Sequence, residues 1–234
     1  MKQANRHRAC RQAGTGKQAN VILALDVDSF AKAKYFVNKL YPQIKIFKVG
    51  IQLFTHAGPR IVEYINKKGA QVFLDLKFFD IPHSVAKAVR QAVRLRVKML
   101  TLHILGDQDM LKQALKAAKE EAKRLRVKRP LLIGVTVLTS KETTSSDVLT
   151  LAKIGIECGL DGVVCSAREA ALIRREIKKK FLIVTPGIRP EGVSSYDQKR
   201  TVTVKEAIKA GSDFLVIGRP ILEAKEPFKV LEKM

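Results

Sequence analysis

The chain has 234 residues, of which 46% are apolar, and this is enough to bury the core of one large domain or two small ones. No apolar run approaches the roughly 18 residues needed to cross a bilayer, and three cysteines and four histidines show neither CxxC nor metal-site spacing. The net charge of +22 is spread along the predicted helices and aromatic residues are 6% of the chain, which argues against a dedicated nucleic-acid partner. We therefore predict a cytoplasmic protein with no membrane partner, no disulfide framework and no metal site.

The chain divides into a short tail and one long alternating segment. Residues 1–19 are basic and polar and contain no acidic residue, so we predict a disordered tail followed by a single domain over 20–234. Apolar runs rich in Val, Ile, Leu and Phe predict strands at 21–26, 44–49, 71–76, 97–103, 131–138, 162–165, 181–185 and 213–217. Amphipathic stretches between them predict helices that include 29–40, 58–68, 82–95 and 110–125.

This alternation indicates the fold class. Short buried strands that alternate with helices are typical of a parallel sheet, and eight such units in about 215 residues favour a single closed (β/α)8 TIM barrel. The alternative is an open, doubly wound sheet. That fold would place a glycine-rich fingerprint after the first strand, where this chain reads Leu25-Asp26-Val27-Asp28.

Polar residues collect at the ends of the predicted strands. In chain order they are Asp26, Lys48, Asp75 with Lys77, His103, Thr139, Ser166, Thr185 and Gly218-Arg219. The carboxyl ends of barrel strands meet on one rim, where barrels build their sites. A nearly complete ring of polar residues is hard to explain by structure alone, so we predict a functional site there.

The third strand ends in an unusual charged segment, Asp75-Leu76-Lys77-Phe78-Phe79-Asp80-Ile81. If the strand continues through Asp75 and Lys77, their side chains point to the same face. Opposite charges at the end of a buried strand cost desolvation energy. They are therefore either a structural ion pair or a preorganised charged site.

The last two loops have the character of a phosphate site. Residues 185–192 contain Pro186, Gly187 and Arg189, and residues 217–220 read Ile-Gly-Arg-Pro before a helix. Gly218 would let backbone amides approach an anion, and the Arg219 guanidinium can bind two of its oxygens. The alternative is a glycine turn beside a surface arginine.

The segment from Asp75 to Pro82 resembles the D-x-K-x-x-D-I-P signature of the orotidine 5′-phosphate decarboxylase family. The resemblance covers nearly everything from residue 21 to the end. Further matching segments are 25–26, 48–50, 137–140, 161–167, 185–190, 197–200 and 216–220.

The resemblance implies that orotidine 5′-monophosphate is converted to uridine 5′-monophosphate and CO2 in de novo pyrimidine biosynthesis. It implies no cofactor, and a homodimer in which Asp80 completes the partner's site. The implied catalytic residues are Lys77 as proton donor, Asp75, Asp80 and Lys48. The implied substrate-binding residues are Asp26, Lys48, Asp75, Ile81, Ser84, Thr139, Pro186, Arg189, Gln198, Gly218 and Arg219.

Two positions and one stretch of the chain depart from the family pattern, and the basic tail at 1–19 has no role that the resemblance implies. Ser84 stands where threonine is usual and keeps the hydroxyl, and Asp107 replaces a usual glycine in the loop after the fourth strand. The stretch 140–161 is shorter than in close bacterial relatives, which reduces the expected cover over the pyrimidine.

Two alternatives stay open. One is another sugar-phosphate decarboxylase on the same barrel, since such relatives share the D-x-K-x-x-D core but use magnesium. The other is a basic RNA-binding protein, which would show a steep salt dependence of RNA binding and no decarboxylation.

Overall fold

The computed structural model describes residues 20–138, 143–189, 202–232 and 234. The strands are β1 (Asn20–Ala24), β2 (Ile46–Gly50), β3 (Gln71–Phe78), β4 (Met99–His103), β5 (Leu131–Val135), β6 (Gly162–Val164), β7 (Leu182–Thr185) and β8 (Phe214–Ile217). Neighbouring strands are parallel, and β8 pairs with β1 to close the barrel. The predicted (β/α)8 barrel is therefore confirmed, while the predicted tail at 1–19 lies outside the described residues.

Helices follow the strands around the outside of the barrel. They are α1 (Phe30–Leu40), α2 (Ile51–Ala57), α3 (Pro59–Lys67), α4 (Pro82–Arg94), α5 (Gln108–Leu125), α6 (Ser145–Glu157), α7 (Ala167–Glu176), α8 (Val204–Lys209), α9 (Arg219–Leu222) and α10 (Pro227–Glu232), with a 3-10 turn at Ile104–Gly106. Within these described segments, no helix is both long and apolar enough to cross a membrane.

Two elements differ from the sequence prediction. The fifth strand ends at Val135 rather than at 138, so residues 136–138 leave the barrel wall at the rim. Helix α2 was not predicted; it begins directly after β2, with Gly50 as its N-cap residue, and buries only Leu53. A seven-residue helix with one buried residue leaves no hydrophobic period for sequence reasoning to detect.

The hydrophobic core has two layers, because successive strand residues point alternately into the barrel and toward the helices. The inner layer fills the barrel and comprises Ile22, Ala24, Ile46, Phe73, Met99, Ile133, Val184, Phe214 and Val216. The larger outer layer joins the strands to the helices. The inner layer is packed beneath the rim, so a ligand has access only to the end of the barrel.

Strand β3 does not run regularly to its end. Phe73 and Leu74 pair with Met99 and Leu100, but the next pair is Phe78 with Leu102. Three residues of β3 therefore lie opposite one residue of β4, as in a β-bulge. Lys77 lies in this bulge with a φ of 50°, a backbone conformation that costs a residue with a side chain about 1–3 kcal/mol.

Asp107 also has a backbone conformation that favours glycine, with φ 72° and ψ 170°. Its side chain caps α5 by accepting a 2.8 Å hydrogen bond from the Met110 N–H. The loop therefore keeps the geometry that a glycine would allow, and the aspartate offsets part of the strain through its cap.

We expect Asp107→Ala to lower the free energy of unfolding by about 1 kcal/mol, because the cap is lost and the strain stays. Asp107→Gly loses the same cap but relieves the backbone, so it should be more stable than Asp107→Ala by about 1–3 kcal/mol. Urea unfolding of both variants measures the difference. Equal stabilities would show that the positive φ stores no strain.

Candidate active site

A cavity of about 280 Å³ opens at the carboxyl ends of the strands. Its lining includes eight of the residues predicted from the sequence, namely Asp26, Lys48, Asp75, Lys77, Pro186, Arg189, Gly218 and Arg219. Asp80, Ile81 and Ser84 are not among its lining residues, and Thr139 and Gln198 lie outside the described residues. A cavity therefore lies at the rim where the strand-end residues predicted a site.

Other strand-end residues turn away from this cavity. Thr185 is fully buried, and its hydroxyl lies 2.6 Å from that of Ser212. The Ser166 N–H donates to the Glu169 carboxylate at the start of α7. Val184 belongs to the inner layer, so alternation along β7 points Thr185 toward the helices. Part of the predicted polar ring is therefore structural.

Four charged side chains form a row of alternating sign along one wall. Lys48 Nζ lies 3.0 Å from Asp26 Oδ1 and 3.5 Å from Asp75 Oδ2, while Lys77 Nζ lies 3.0 Å from Asp75 Oδ1. The side chains of Lys48 and Asp75 are only 11% and 13% exposed, whereas that of Lys77 is 33% exposed. Asp75 thus lies between two lysines in a poorly solvated position, where charge interactions are strong. The Lys77 ammonium keeps access to the cavity.

Thr101 supports this row from β4 and was missed by sequence reasoning. The residue is 1% exposed. Its hydroxyl accepts a 2.8 Å hydrogen bond from the Lys77 N–H and donates a 3.0 Å hydrogen bond to Asp75 Oδ1. A threonine within an apolar run is also a common strand residue, so its type gave no signal. The one indication in the sequence was a hydroxyl group in a strand predicted to be buried on both faces, because a buried polar group needs a hydrogen-bond partner.

The part of the cavity lined by residues that follow β7 and β8 is cationic and rich in glycine. Arg189, Gly218 and Arg219 line it together with Gly187. Arg189 is 8% exposed, and its backbone N–H donates to the Val202 carbonyl oxygen. A Cβ atom at Gly218 would lie 3.4 Å from Ala24 Cβ, so this position is close to the first strand. Two guanidinium groups on one side of the cavity form a suitable site for a phosphate.

Apolar side chains form the rest of the cavity wall, and four of them belong to the inner layer of the core. They are Ala24, Phe73, Val135, Val137, Leu138, Val164, Val184 and Val216. Such walls exclude water and suit the faces of a flat ring. The cavity therefore combines a charged row, an apolar middle and an anion-binding side, which together match an anionic nucleotide.

Cysteine or metal chemistry finds little support among the residues that the structure describes. Cys165 follows β6 but is 3% exposed, and burial raises the pKa of its thiol, so the reactive thiolate is disfavoured. Within the described ranges, no group of three or more His, Cys, Asp or Glu side chains is placed to hold a metal ion.

The segment after β3 faces outward rather than into this chain's own cavity. Asp80 is exposed and accepts a 2.6 Å hydrogen bond from the Ile81 N–H. Phe79 and Ile81 are 61% and 66% exposed. A second opening of about 230 Å³ also reaches Asp26, Lys48, Asp75 and Lys77, and its other lining residues are Leu25, Gly50, Ile51, Gln52 and Leu53.

Comparison with known proteins places this site in a family. Residues 19–234 match the family model described as orotidine 5′-phosphate decarboxylase / HUMPS family. A protein named orotidine 5′-phosphate decarboxylase from Vibrio cholerae is 46% identical over 225 residues, covering 92% of this chain and 96% of that protein. One of the same name from Coxiella burnetii is 44% identical over 223 residues, covering 91% and 93%.

Solved structures give the same result. The crystal structure of orotidine 5′-phosphate decarboxylase from Lactobacillus acidophilus has a TM-score of 0.80 at 33% identity, covering 92% of this chain and 96% of that one. That of an uncharacterized conserved protein from Geobacillus kaustophilus has a TM-score of 0.79 at 32% identity, covering 91% and 97%. With a family match over nearly its whole length and relatives at 44–46% identity, the chain belongs to the orotidine 5′-phosphate decarboxylase / HUMPS family.

Proposed function

We propose that this chain decarboxylates orotidine 5′-monophosphate to uridine 5′-monophosphate and CO2 in pyrimidine biosynthesis. The observation that carries the proposal is that Lys77 and Arg219 line one cavity. A nucleotide can thus present its ring to an ammonium group while its phosphate contacts a guanidinium. The names of the relatives at 44–46% identity support this substrate.

The reaction needs stabilisation of a localised negative charge. When the bond between C6 and the carboxylate breaks, CO2 leaves and the electron pair stays on C6 in an orbital in the ring plane. The ring cannot delocalise this pair. Lys77 has the cavity access and the charge to stabilise it, and its Nζ then donates the proton that completes the new C6–H bond.

Asp75 and Lys48 prepare Lys77 for this step. The Asp75 carboxylate accepts a hydrogen bond from Lys77 Nζ at 3.0 Å and holds the ammonium in position. Lys48 lies 3.5 Å from the other Asp75 oxygen and offsets the remaining negative charge. Lys48 also contacts Asp26, and in this proposal the pair binds the ribose hydroxyls. Fixed charges of this kind need little reorganisation during the reaction.

Phosphate binding contributes to catalysis at a distance from the reacting carbon. Interactions with Arg189, Gly218 and Arg219 hold the nucleotide in register with Lys77. Binding energy from this remote group can be used to place the ring against the charged row.

The proposed reaction is tested by following the fall in absorbance of orotidine 5′-monophosphate, with and without a metal chelator. Turnover that is unchanged by the chelator is the expected result. Turnover that needs magnesium, or activity only on a sugar phosphate, would favour the alternative decarboxylase. No turnover of the nucleotide at all would contradict the proposal.

Replacing Arg219 by alanine should lower kcat/KM by about 30- to 900-fold, or about 2–4 kcal/mol, because a charged phosphate contact is lost. Steady-state kinetics on orotidine 5′-monophosphate measures this. Arg175→Ala is the matched control, since Arg175 is 71% exposed and pairs with Glu176 away from the cavity. A loss of less than about threefold for Arg219→Ala would exclude it from phosphate binding.

We also propose a homodimer in which Asp80 reaches the partner's site. Its support is the outward direction of Asp80, the exposed apolar side chains of Phe79 and Ile81 beside it, and the second opening onto Lys77. Exposed apolar groups around a carboxylate are typical of a surface that another chain covers. Ile51, 58% exposed at the edge of that opening, extends the same surface.

The net charge of +22 is the observation behind the RNA-binding alternative, but several arginines are engaged within the fold. Glu121 of α5 is buried and contacts Arg94 and Arg124 at 2.8 Å and 2.6 Å. Hydrogen bonds from Arg124 and then Arg94 lower the pKa of Glu121 from its ordinary value of 4.5 to about 2. Part of the positive charge thus stabilises the α4–α5 contact.

A cytoplasmic location remains part of the proposal, since Cys158 and Cys165 are free thiols.

A further inference from the structure

The bulge in β3 creates a hydrogen-bonding problem at Lys77. A regular strand would pair its backbone N–H with a carbonyl of the neighbouring strand, but three residues of β3 face one residue of β4 at this point. The Lys77 N–H instead donates to the Thr101 hydroxyl at 2.8 Å. Buried N–H groups need an acceptor, and the side chain of the residue opposite the bulge provides it.

This contact also directs the only proton of the Thr101 hydroxyl. A threonine hydroxyl has one donor and two acceptor positions. With the Lys77 N–H on one acceptor position, the hydroxyl proton points to Asp75 Oδ1 at 3.0 Å. The same Asp75 oxygen accepts from Lys77 Nζ at 3.0 Å. One hydroxyl thus connects the backbone of Lys77 to the carboxylate that binds the Lys77 ammonium.

The connection has a geometric consequence. Lys77 has a φ of 50°, which residues with side chains rarely adopt, and a regular strand would aim its side chain differently. Thr101 is 1% exposed, and β4 pairs with β5 at the Thr101–Ile133 position. Its hydroxyl is therefore at a fixed point in the barrel wall.

We propose that Thr101 is a positioning residue that sets the Asp75–Lys77 pair for proton transfer, an inference that rests on the proposed decarboxylase function. Thr101 is not among the residues that line the cavity, so its effect passes through the backbone of one catalytic residue and the carboxylate of the other. Displacement of a catalytic group by about 1 Å can cost about 100-fold in rate.

The test compares variants that lack or retain the hydroxyl. Thr101→Val and Thr101→Ala both lack the hydroxyl, and only Thr101→Val keeps the branched shape. Thr101→Ser retains the hydroxyl. We expect kcat to fall by about 10- to 100-fold in the first two, with KM within about threefold of the unchanged chain. KM should remain nearly unchanged because these variants do not alter the residues proposed to bind phosphate. Thr101→Ser should keep kcat within about threefold.

Ser212→Ala is the matched control, because Ser212 is 1% exposed and its hydroxyl contacts that of Thr185, away from the charged row. It should lose stability but keep kcat. The inference is overturned if Thr101→Val keeps its kcat, or if Thr101→Ser loses as much as Thr101→Val. It is also overturned if both variants without the hydroxyl fail to fold while Ser212→Ala folds. Absence of decarboxylation in the unchanged chain would instead contradict the proposed function.

Discussion

Replacing Lys77 by alanine is expected to lower kcat by at least about 10⁴-fold, because one group supplies both charge stabilisation and the proton. The variant should still fold. Lys77 is 33% exposed, and Asp75 keeps its contacts with Lys48 and Thr101 when the Lys77 ammonium is removed. Absorbance kinetics gives the rate, and circular dichroism with urea unfolding shows whether the fold is retained.

Binding of the product separates loss of chemistry from loss of the site. Uridine 5′-monophosphate should bind Lys77→Ala with an affinity within about tenfold of the unchanged chain, because the contacts on the phosphate side remain. Lys229→Ala is a matched control that should leave kcat unchanged, since Lys229 of α10 forms a 2.7 Å ion pair with Glu226 and both side chains are exposed. Near-normal turnover by a folded Lys77→Ala protein would remove Lys77 from the mechanism.

The barrel and much of the site could be predicted from the sequence because both depend on simple periodicities. Strand and helix periods alternate, and a parallel barrel brings the carboxyl ends of its strands to one rim. From this rule alone, Asp26, Lys48 and Asp75 are expected together, and they contact one another through Lys48.

Other features depend on registers that no single segment reveals. The β3 bulge is a mismatch between β3 and β4, so neither strand's own pattern shows it, and Thr101 gains its role only from lying opposite that bulge. Alternation along a regular strand would predict one direction for the Lys77 side chain. The actual direction depends on the backbone φ of 50° at Lys77. Asp75 and Thr185 both lie near the carboxyl end of a strand. Alternation of side chains along β7 nevertheless directs Thr185 toward the helices rather than into the cavity.

A mixture of two inactive variants should regain activity if Asp80 completes the partner's site. Consider a dimer of one Lys77→Ala chain and one Asp80→Ala chain. One of its sites combines both defects, while the other combines the intact Lys77 of one chain with the intact Asp80 of its partner. Random pairing makes half of the dimers mixed, so about one quarter of all sites are intact and about one quarter of the original activity should return.

Co-expression of the two chains with different tags, followed by purification of the mixed dimer, removes the inactive homodimers. The purified mixed dimer has one intact site in two and should show about one half of the original activity. The matched control pairs Lys77→Ala with Asp75→Ala. Lys77 Nζ and Asp75 Oδ1 lie 3.0 Å apart within one chain, so each site of that mixed dimer lacks one of the two side chains and should stay inactive. Recovery in the first mixture and none in the second would locate Asp80 across the interface from Lys77. If neither mixture recovers activity, the Asp80 carboxylate acts within its own chain or has only a structural role. Its exposed position beside Phe79 and Ile81 would then need another explanation.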